Sequence, residues 1–103
     1  MAQYDVYRIP RATARSDIPY LLDLQSDLLD EFATRIVAPL MLEGTIERVG
    51  RLHPIFTVEG LRVVLATDRL AAVQRRDLGN AITSLDAHHS DIIAAIDILW
   101  TGV

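Results

Sequence analysis

Short stretches of alternating apolar and polar residues run through the first three quarters of the chain. In the opening stretch, Tyr4 and Val6 fall on one side of an extended backbone while Asp5 falls on the other. Later, two alternating stretches flank Glu59-Gly60, a pair typical of a tight hairpin turn. The pattern predicts five or six short antiparallel strands, at residues 3–8, 20–24, 34–40, 54–58, 61–66 and 71–75.

The last nineteen residues, 85–103, carry the longest helical pattern in the chain. At 100° per residue, Leu85, Ile92 and Ile96 fall on one stripe, and Gly102 lies where a helix usually ends. N-cap oxygens for the first turn are available from three residues, Thr83, Ser84 and Asp86. These features predict one C-terminal helix that follows the strands.

The apolar face of this helix is wider than one small core needs. We therefore expect a homodimer in which the helices lie near the two-fold axis. The predicted dimer interface consists of Ile93, Ile96, Leu99, Trp100 and Val103. Trp100 has two interpretations at this point, since it could plug the bottom of the core or serve as an aromatic anchor for a partner.

The order of elements predicts a mainly β protein with a C-terminal helix, an α+β fold in which a small, bent antiparallel sheet or partial barrel packs against that helix. Pro39 predicts that the strand at 34–40 is an edge strand or ends there, because proline cannot donate to a sheet ladder. We expect one domain, spanning residues 1–103.

Composition narrows the possible functions. The chain has no cysteine and therefore no disulfide or thiol chemistry. Its basic residues are all arginines, and the net charge of −4 argues against a broad or sequence-specific nucleic-acid surface. No apolar run approaches a membrane span, and the first residues do not form a signal-peptide pattern. We therefore expect a cytoplasmic protein.

Catalytic patterns are scarce. Four acidic residues cluster in sequence, Asp23, Asp27, Asp30 and Glu31, but they are typical of a solvated turn, and no histidine lies near them in sequence. His88 and His89 would point about 100° apart on a helix, which disfavours joint metal binding. We expect no catalytic residues, no metal and no cofactor, and thus a binding protein rather than an enzyme.

Three segments together resemble the CcdB family: the opening QYDVYR, the pair LDLQSDLLD (22–30) and TRIVAPL (34–40), and the ending IIAAIDILWTGV (92–103). The resemblance implies a homodimeric toxin of a bacterial toxin–antitoxin pair, on a fold shared with MazF and Kid endoribonuclease toxins. The resemblance further implies that the chain, like other CcdB-family toxins, is not an enzyme. Such a toxin binds the A subunit of DNA gyrase, traps its cleaved-DNA complex, and is neutralised by a CcdA-like antitoxin.

By position, the resemblance implies a gyrase-binding site made of Leu28, Leu29, Asp97, Trp100, Thr101, Gly102 and Val103. Weaker candidates for the same site are Tyr4, His89 and Ala94. For the antitoxin, which the resemblance implies as a disordered acidic segment, we expect contacts with residues 41–53 and with three arginines in or beside a polar loop, Arg8, Arg11 and Arg15.

The chain departs from the family pattern in three places. Its tryptophan comes one residue early, so that Thr101 takes the usual aromatic position. Asp97 replaces a polar amide, and residues 73–77 are charged where the family is apolar. Two other functions therefore stay open: a MazF-like endoribonuclease using Arg8, Arg11, Arg15 and Arg35, or a decayed toxin that binds antitoxin only.

Overall fold

Seven strands and one helix form the described part of the chain, which in this computed structural model comprises residues 2–9 and 17–102. The elements are β1 Asp5–Arg8, β2 Tyr20–Asp23, β3 Thr34–Leu42, β4 Ile55–Val58, β5 Leu61–Leu65, β6 Ala71–Gln74, β7 Thr83–Ser84 and α1 His89–Thr101. The sheet is antiparallel, nearly closed and barrel-like, with α1 as its C-terminal helix. The predicted fold class is confirmed.

Strand β3 is the centre of the sheet. Its two ends have different partners on one side, since Thr34–Val37 pair with β6 and Leu40–Leu42 pair with β5. On the other side β3 pairs with β2, and β1 and β7 follow. A long strand that changes partners must bend, and this bend curls the sheet toward closure.

The expectation that Pro39 marks a strand edge or end is wrong, because β3 continues to Leu42 and is paired on both sides. Pro39 lies where the partner of β3 changes from β6, paired up to Val37, to β5, paired from Leu40. A missing N–H interrupts no ladder at that gap. The carbonyl of Pro39 still accepts a hydrogen bond of 3.0 Å from the amide of Ala66.

The β4–β5 hairpin has the predicted turn at Glu59-Gly60, with Val58 paired to Leu61. Both turn residues have positive φ, 51° and 79°, as expected for the primed turns that match strand twist. Glu59 is a strained choice there. Its carboxylate accepts hydrogen bonds from the Tyr20 hydroxyl, at 2.8 Å, and from Arg8, at 2.9 Å, which help to hold this conformation.

The main core lies between the inner face of the sheet and α1. From the helix, Ile92 is buried in this core and Ile96 packs against it, and Ala95 is also buried. A second, smaller cluster packs on the other face of the sheet and consists of Tyr7, Leu21, Val37 and Leu78. Because β2 is covered on both faces, all four of its residues are buried, which hides the alternation that sequence patterns detect.

The helix begins later than predicted. Asp86–His88 form a 3-10 turn and α1 starts at His89, without a side-chain N-cap. Ser84 Oγ accepts a hydrogen bond of 3.1 Å from the Asp86 amide at the start of that turn, whereas Thr83 lies in β7 and pairs with Val6 of β1. The predicted helix end is confirmed, since Gly102 has φ 78° and its amide donates to the carbonyl of Ile98.

Tyr7 yields a prediction about stability. Its hydroxyl is buried and has no hydrogen-bond partner among the described residues, and burial with nearby carboxylates raises the pKa of Tyr7 to about 12. Tyr7→Phe should therefore leave the free energy of unfolding unchanged or raise it by up to about 1 kcal/mol at neutral pH. Urea denaturation measures this, and a loss of more than about 1 kcal/mol would show that the hydroxyl has a stabilising partner.

Tyr7→Phe should also change how the free energy of unfolding depends on pH in the alkaline range. Unfolded tyrosine ionises near pH 10, whereas folded Tyr7 keeps its proton to about pH 12. Between these values the unfolded state binds fewer protons, so stability falls as pH rises. Tyr7→Phe should make that fall shallower, and an unchanged slope would contradict the assignment.

Candidate protein-binding site

An exposed apolar turn follows β2. Asp27–Leu29 form a 3-10 turn in which no residue is buried; Leu28 is 94% exposed and Leu29 is 42% exposed. The Leu28 amide donates to Ser26 Oγ at 3.2 Å, and the side-chain amide of Gln25 donates to the Leu29 carbonyl at 3.0 Å. Polar groups thus fix the backbone while the two leucine side chains face outward.

A buried ion pair lies at the base of this turn. Arg35 of β3 and Asp23 of β2 are both fully buried, and Arg35 Nε and Nη2 lie 2.9 and 2.6 Å from Asp23 Oδ2. Burial raises the pKa of the Asp23 carboxyl, opposed by its bonds from Arg35 and from the Gln25 amide. Burial removes both charges from water, and the attraction and hydrogen bonds between them offset that desolvation cost.

The expectation that the acidic residues 23–31 are solvated is therefore wrong for Asp23, which is buried, whereas Asp27 and Glu31 are exposed. Asp23 is the buried partner of Arg35. Asp27 Oδ1 accepts a 2.7 Å hydrogen bond from the Gln3 amide, which ties the turn to the start of the chain. Asp30 Oδ1 accepts from Arg35 Nη1 at 3.2 Å. The contacts of Asp23 and Asp27 join residues 12 and 24 positions apart, so local sequence pattern carries no direct signal for them.

The second part of the site is the end of α1. Trp100 is 67% exposed, so within this chain it does not plug the core, and the interpretation of Trp100 as a core residue is wrong. Asp97, Thr101 and Gly102 are also exposed. Thr101 Oγ1 donates back to the Asp97 carbonyl at 2.7 Å. The last turn of α1 contains no basic residue, so this helix end stays electronegative.

The turn and the helix end meet in space. Leu29, Ile36, Ile96 and Trp100 line one open concavity of about 250 Å³, together with Leu24, Gln25, Ser26 and Leu70. We call Leu28, Leu29, Ile36, Ile96 and Trp100 the turn–helix surface. Four of them are exposed large apolar side chains, which is an unusual concentration for an area meant to face only water.

Other predicted residues lie elsewhere. Tyr4 is only 5% exposed, within the main core, so its side chain adds little to any surface. His89 is exposed. Ala94 lines a different concavity with Arg48, Arg51, Pro54 and Asp91. Val103 lies outside the described residues.

The predicted dimer and antitoxin residues are also partly placed. Ile93 is 42% exposed, and Ile96 and Leu99 are half-buried, which leaves apolar helix surface available. Arg8 is exposed and bonds to Glu59. Arg11 and Arg15 lie outside the described residues.

The described part of the chain contains no group of three or more His, Cys, Asp or Glu residues that could hold a metal ion. His53, which sequence pattern does not single out, is buried, and both ring nitrogens are engaged: Nδ1 accepts from the Val49 amide and Nε2 bonds to Asp68, each at 2.8 Å. Because neither nitrogen is available to a substrate, His53 is a structural residue.

The fold and site define a small barrel-like β-protein with an exposed apolar surface at the end of its C-terminal helix. The family model of the CcdB protein matches residues 3–102, and the chain belongs to this family. No curated protein matches the sequence. A solved structure with a similar fold is an endoribonuclease in complex with its cognate antitoxin from mycobacterial species, with a TM-score of 0.75 and 14% identity over 94% of this chain and 91% of that one.

Among the described residues, no helix is long and apolar enough to cross a membrane.

The buried pair gives the second prediction. Arg35→Met leaves Asp23 buried without its partner and should lower the free energy of unfolding by about 3 to 5 kcal/mol. Arg62→Met is the control, because Arg62 makes an exposed ion pair of 2.9 Å with Glu43. The free energy of unfolding should fall far less in this variant. Equal losses in denaturant titrations would contradict the assigned role of Arg35.

Proposed function

We propose that this protein is a homodimeric, non-enzymatic toxin that binds the A subunit of DNA gyrase and traps its cleaved-DNA complex in the cytoplasm. Membership of the CcdB family supports the class of function. The observation that carries the proposal is the exposure of Trp100 in the same concavity as Leu29. The chain therefore has an aromatic anchor beside Leu28 and Leu29, even though Thr101 replaces the family's usual aromatic residue.

The chemistry of this surface favours a partner with a cation next to apolar groups. Exposed aromatic side chains are frequent anchors of protein interfaces. The electronegative helix end and exposed Asp97 lie on the same helix as Trp100, and an arginine on the target could stack on the indole while pairing with the carboxylate. Each such contact contributes about 1 to 2 kcal/mol when water is excluded.

Dimerisation is part of the proposal. Ile93, which is 42% exposed, leaves apolar area on α1 that one core does not cover. A second copy packed along these helices would bury that area and bring two helix ends together near a two-fold axis. Such a dimer matches the symmetry of a dimeric target, so both turn–helix surfaces could bind at once.

The described residues favour a binding function over RNA cleavage. Of the arginines considered for an RNA groove, Arg35 is fully buried and bonded to Asp23, so it cannot reach a phosphate without unfolding the turn. His53 has both nitrogens engaged. The likeness to an endoribonuclease is one of fold at 14% identity.

Antitoxin binding belongs to a different surface in this proposal. Arg48 and Arg51 line a concavity with Pro54 and Ala94, within and beside the 41–53 region expected to contact the antitoxin. Arg8 is exposed as well. An acidic, disordered antitoxin segment would gain attraction from these arginines. Contacts with gyrase and contacts with the antitoxin would then be separable by mutation.

Trp100→Ala is the third prediction and the test of the proposed function. Because Trp100 is exposed, the melting temperature should change little, whereas stimulation of gyrase-mediated DNA cleavage should fall about tenfold or more, as for interface anchors. Leu61→Ala, on the hairpin and 43% exposed, is the matched control and should keep full activity. Equal activity of the two variants would reject the assigned site.

An RNA cleavage assay on the same preparations separates the rival functions. The wild type should leave RNA intact while it increases cleaved DNA in the presence of purified gyrase. RNA cleavage without any effect on gyrase would overturn the proposal in favour of an endoribonuclease. Inactivity in both assays would overturn it in favour of a toxin that has decayed.

The fourth prediction concerns the antitoxin. Arg11→Glu should weaken binding of an acidic antitoxin segment several-fold. The difference in affinity from the wild type should shrink as salt rises, because salt screens the attraction between opposite charges. Arg76→Glu is the control, since it makes the same charge change at an exposed arginine outside the assigned surface. Calorimetric titrations at low and high salt measure the effect. Salt-independent binding, or equal loss in both variants, would argue against the assigned surface.

A further inference from the structure

The charged segment after β6 is unexplained by the functions above. Residues 73–77 carry two arginines and an aspartate. Most of β6 is exposed, so the segment adds little to the core. Its first arginine nevertheless makes the longest-range polar contact to the turn that carries Leu28 and Leu29.

Arg75 reaches Asp30 with both ends of its guanidinium. Nη1 donates to the Asp30 carbonyl and Nη2 lies 3.3 Å from Asp30 Oδ1. The Arg75 amide also donates to the Ala33 carbonyl at 2.8 Å, which fixes the backbone on the same side. The side chain thus ties residue 75 to residue 30, across 45 positions of sequence.

The turn has little else to fix its C-terminal end. Leu28 is almost fully exposed and no residue of Asp27–Leu29 is buried, so apolar packing does not hold it. Its N-terminal end is held by the Gln3 amide on Asp27. The C-terminal end is held by the Gln25 side-chain amide, which donates to the Leu29 carbonyl, and by Asp30, whose partners are Arg35 and Arg75.

Arg35 cannot fulfil this task alone. Its guanidinium is fully buried and shared among Asp23, at 2.6 and 2.9 Å, the Gln25 carbonyl, at 3.4 Å, and Asp30, at 3.2 Å. The Asp30 carbonyl receives its side-chain hydrogen bond from Arg75. Because Arg75 is about one third exposed, it can be replaced without opening the core.

We propose that Arg75 is a positioning residue: it clamps Asp30 and so holds the Leu28-Leu29 turn in the orientation that a protein partner contacts. The proposal rests on the proposed function for the identity of that partner, but the clamp itself is independent of it. Loss of a bidentate, charge-assisted contact should let the turn open more often while the sheet stays folded.

Arg75→Met tests the clamp, since it keeps the length of the side chain and removes its donors. Amide hydrogen exchange of Leu29, Asp30 and Phe32, which all donate within the turn, should accelerate about tenfold. Exchange in β2 and the melting temperature should stay close to wild type. Arg76→Met is the matched control, because Arg76 is an exposed neighbour of the same charge; it should leave exchange in the turn unchanged.

Arg75→Lys provides a second measurement. Lysine keeps the charge but not the two-pronged donation, so exchange should lie between the wild type and Arg75→Met. Unchanged turn exchange in Arg75→Met, or equal acceleration in Arg76→Met, overturns the inference. If Arg75→Met does not fold, Arg75→Lys decides alone: accelerated exchange confined to the turn supports the clamp, and wild-type exchange overturns it.

Affinity for purified gyrase A subunit separates this inference from the proposed function. Weaker binding by about fivefold to tenfold in Arg75→Met, with normal binding in Arg76→Met, supports both. Accelerated exchange with unchanged gyrase binding supports the clamp and counts against the turn as a gyrase contact. Absence of wild-type gyrase binding rejects the proposed function and leaves the exchange result to judge the clamp.

Discussion

The contact between Arg35 and Asp23 is the interaction on which the candidate site depends. Both side chains are fully buried between β2 and β3, where an unpaired charge would be very costly. A pair in this position fixes where β2 ends and where the chain turns away from the sheet. Arg35 then extends the same guanidinium to the Gln25 carbonyl and to Asp30, at the two ends of the turn. One buried cation therefore organises an exposed loop.

The rest of the fold brings the helix end to that loop. Strand β3 carries Ile36 beside the turn, and α1 packs Ile92 and Ala95 into the main core, which leaves Ile96 and Trp100 facing Leu29 across an open concavity. Neither the turn nor the helix end alone would indicate a binding surface, since single exposed apolar side chains are common on proteins. Their combination gives a continuous apolar area next to an electronegative helix end.

Sequence pattern predicts much of this architecture because most of its strands and the helix follow simple periodicities. Sequence pattern misses features where a strand is covered on both faces or where a side chain's partner lies far away in sequence. All of β2 is buried, β7 is only two residues long, and Pro39 is central because the partner of β3 changes there. Family resemblance identifies Leu28 and Trp100, and the structure adds that both are exposed. The roles of Asp23 and Arg75 depend on contacts 12 and 45 residues away, which local pattern does not encode.

In the proposed function, the turn and the helix end act together as one contact surface for gyrase. Amide hydrogen exchange of the whole chain, with and without purified gyrase A subunit, would detect this joint contact. The subunit should slow exchange in residues 26–30 and 96–102 together, while the β4–β5 hairpin at Glu59-Gly60 is unaffected. Protection confined to other segments, such as residues 43–53, or to only one of the two parts, would contradict it.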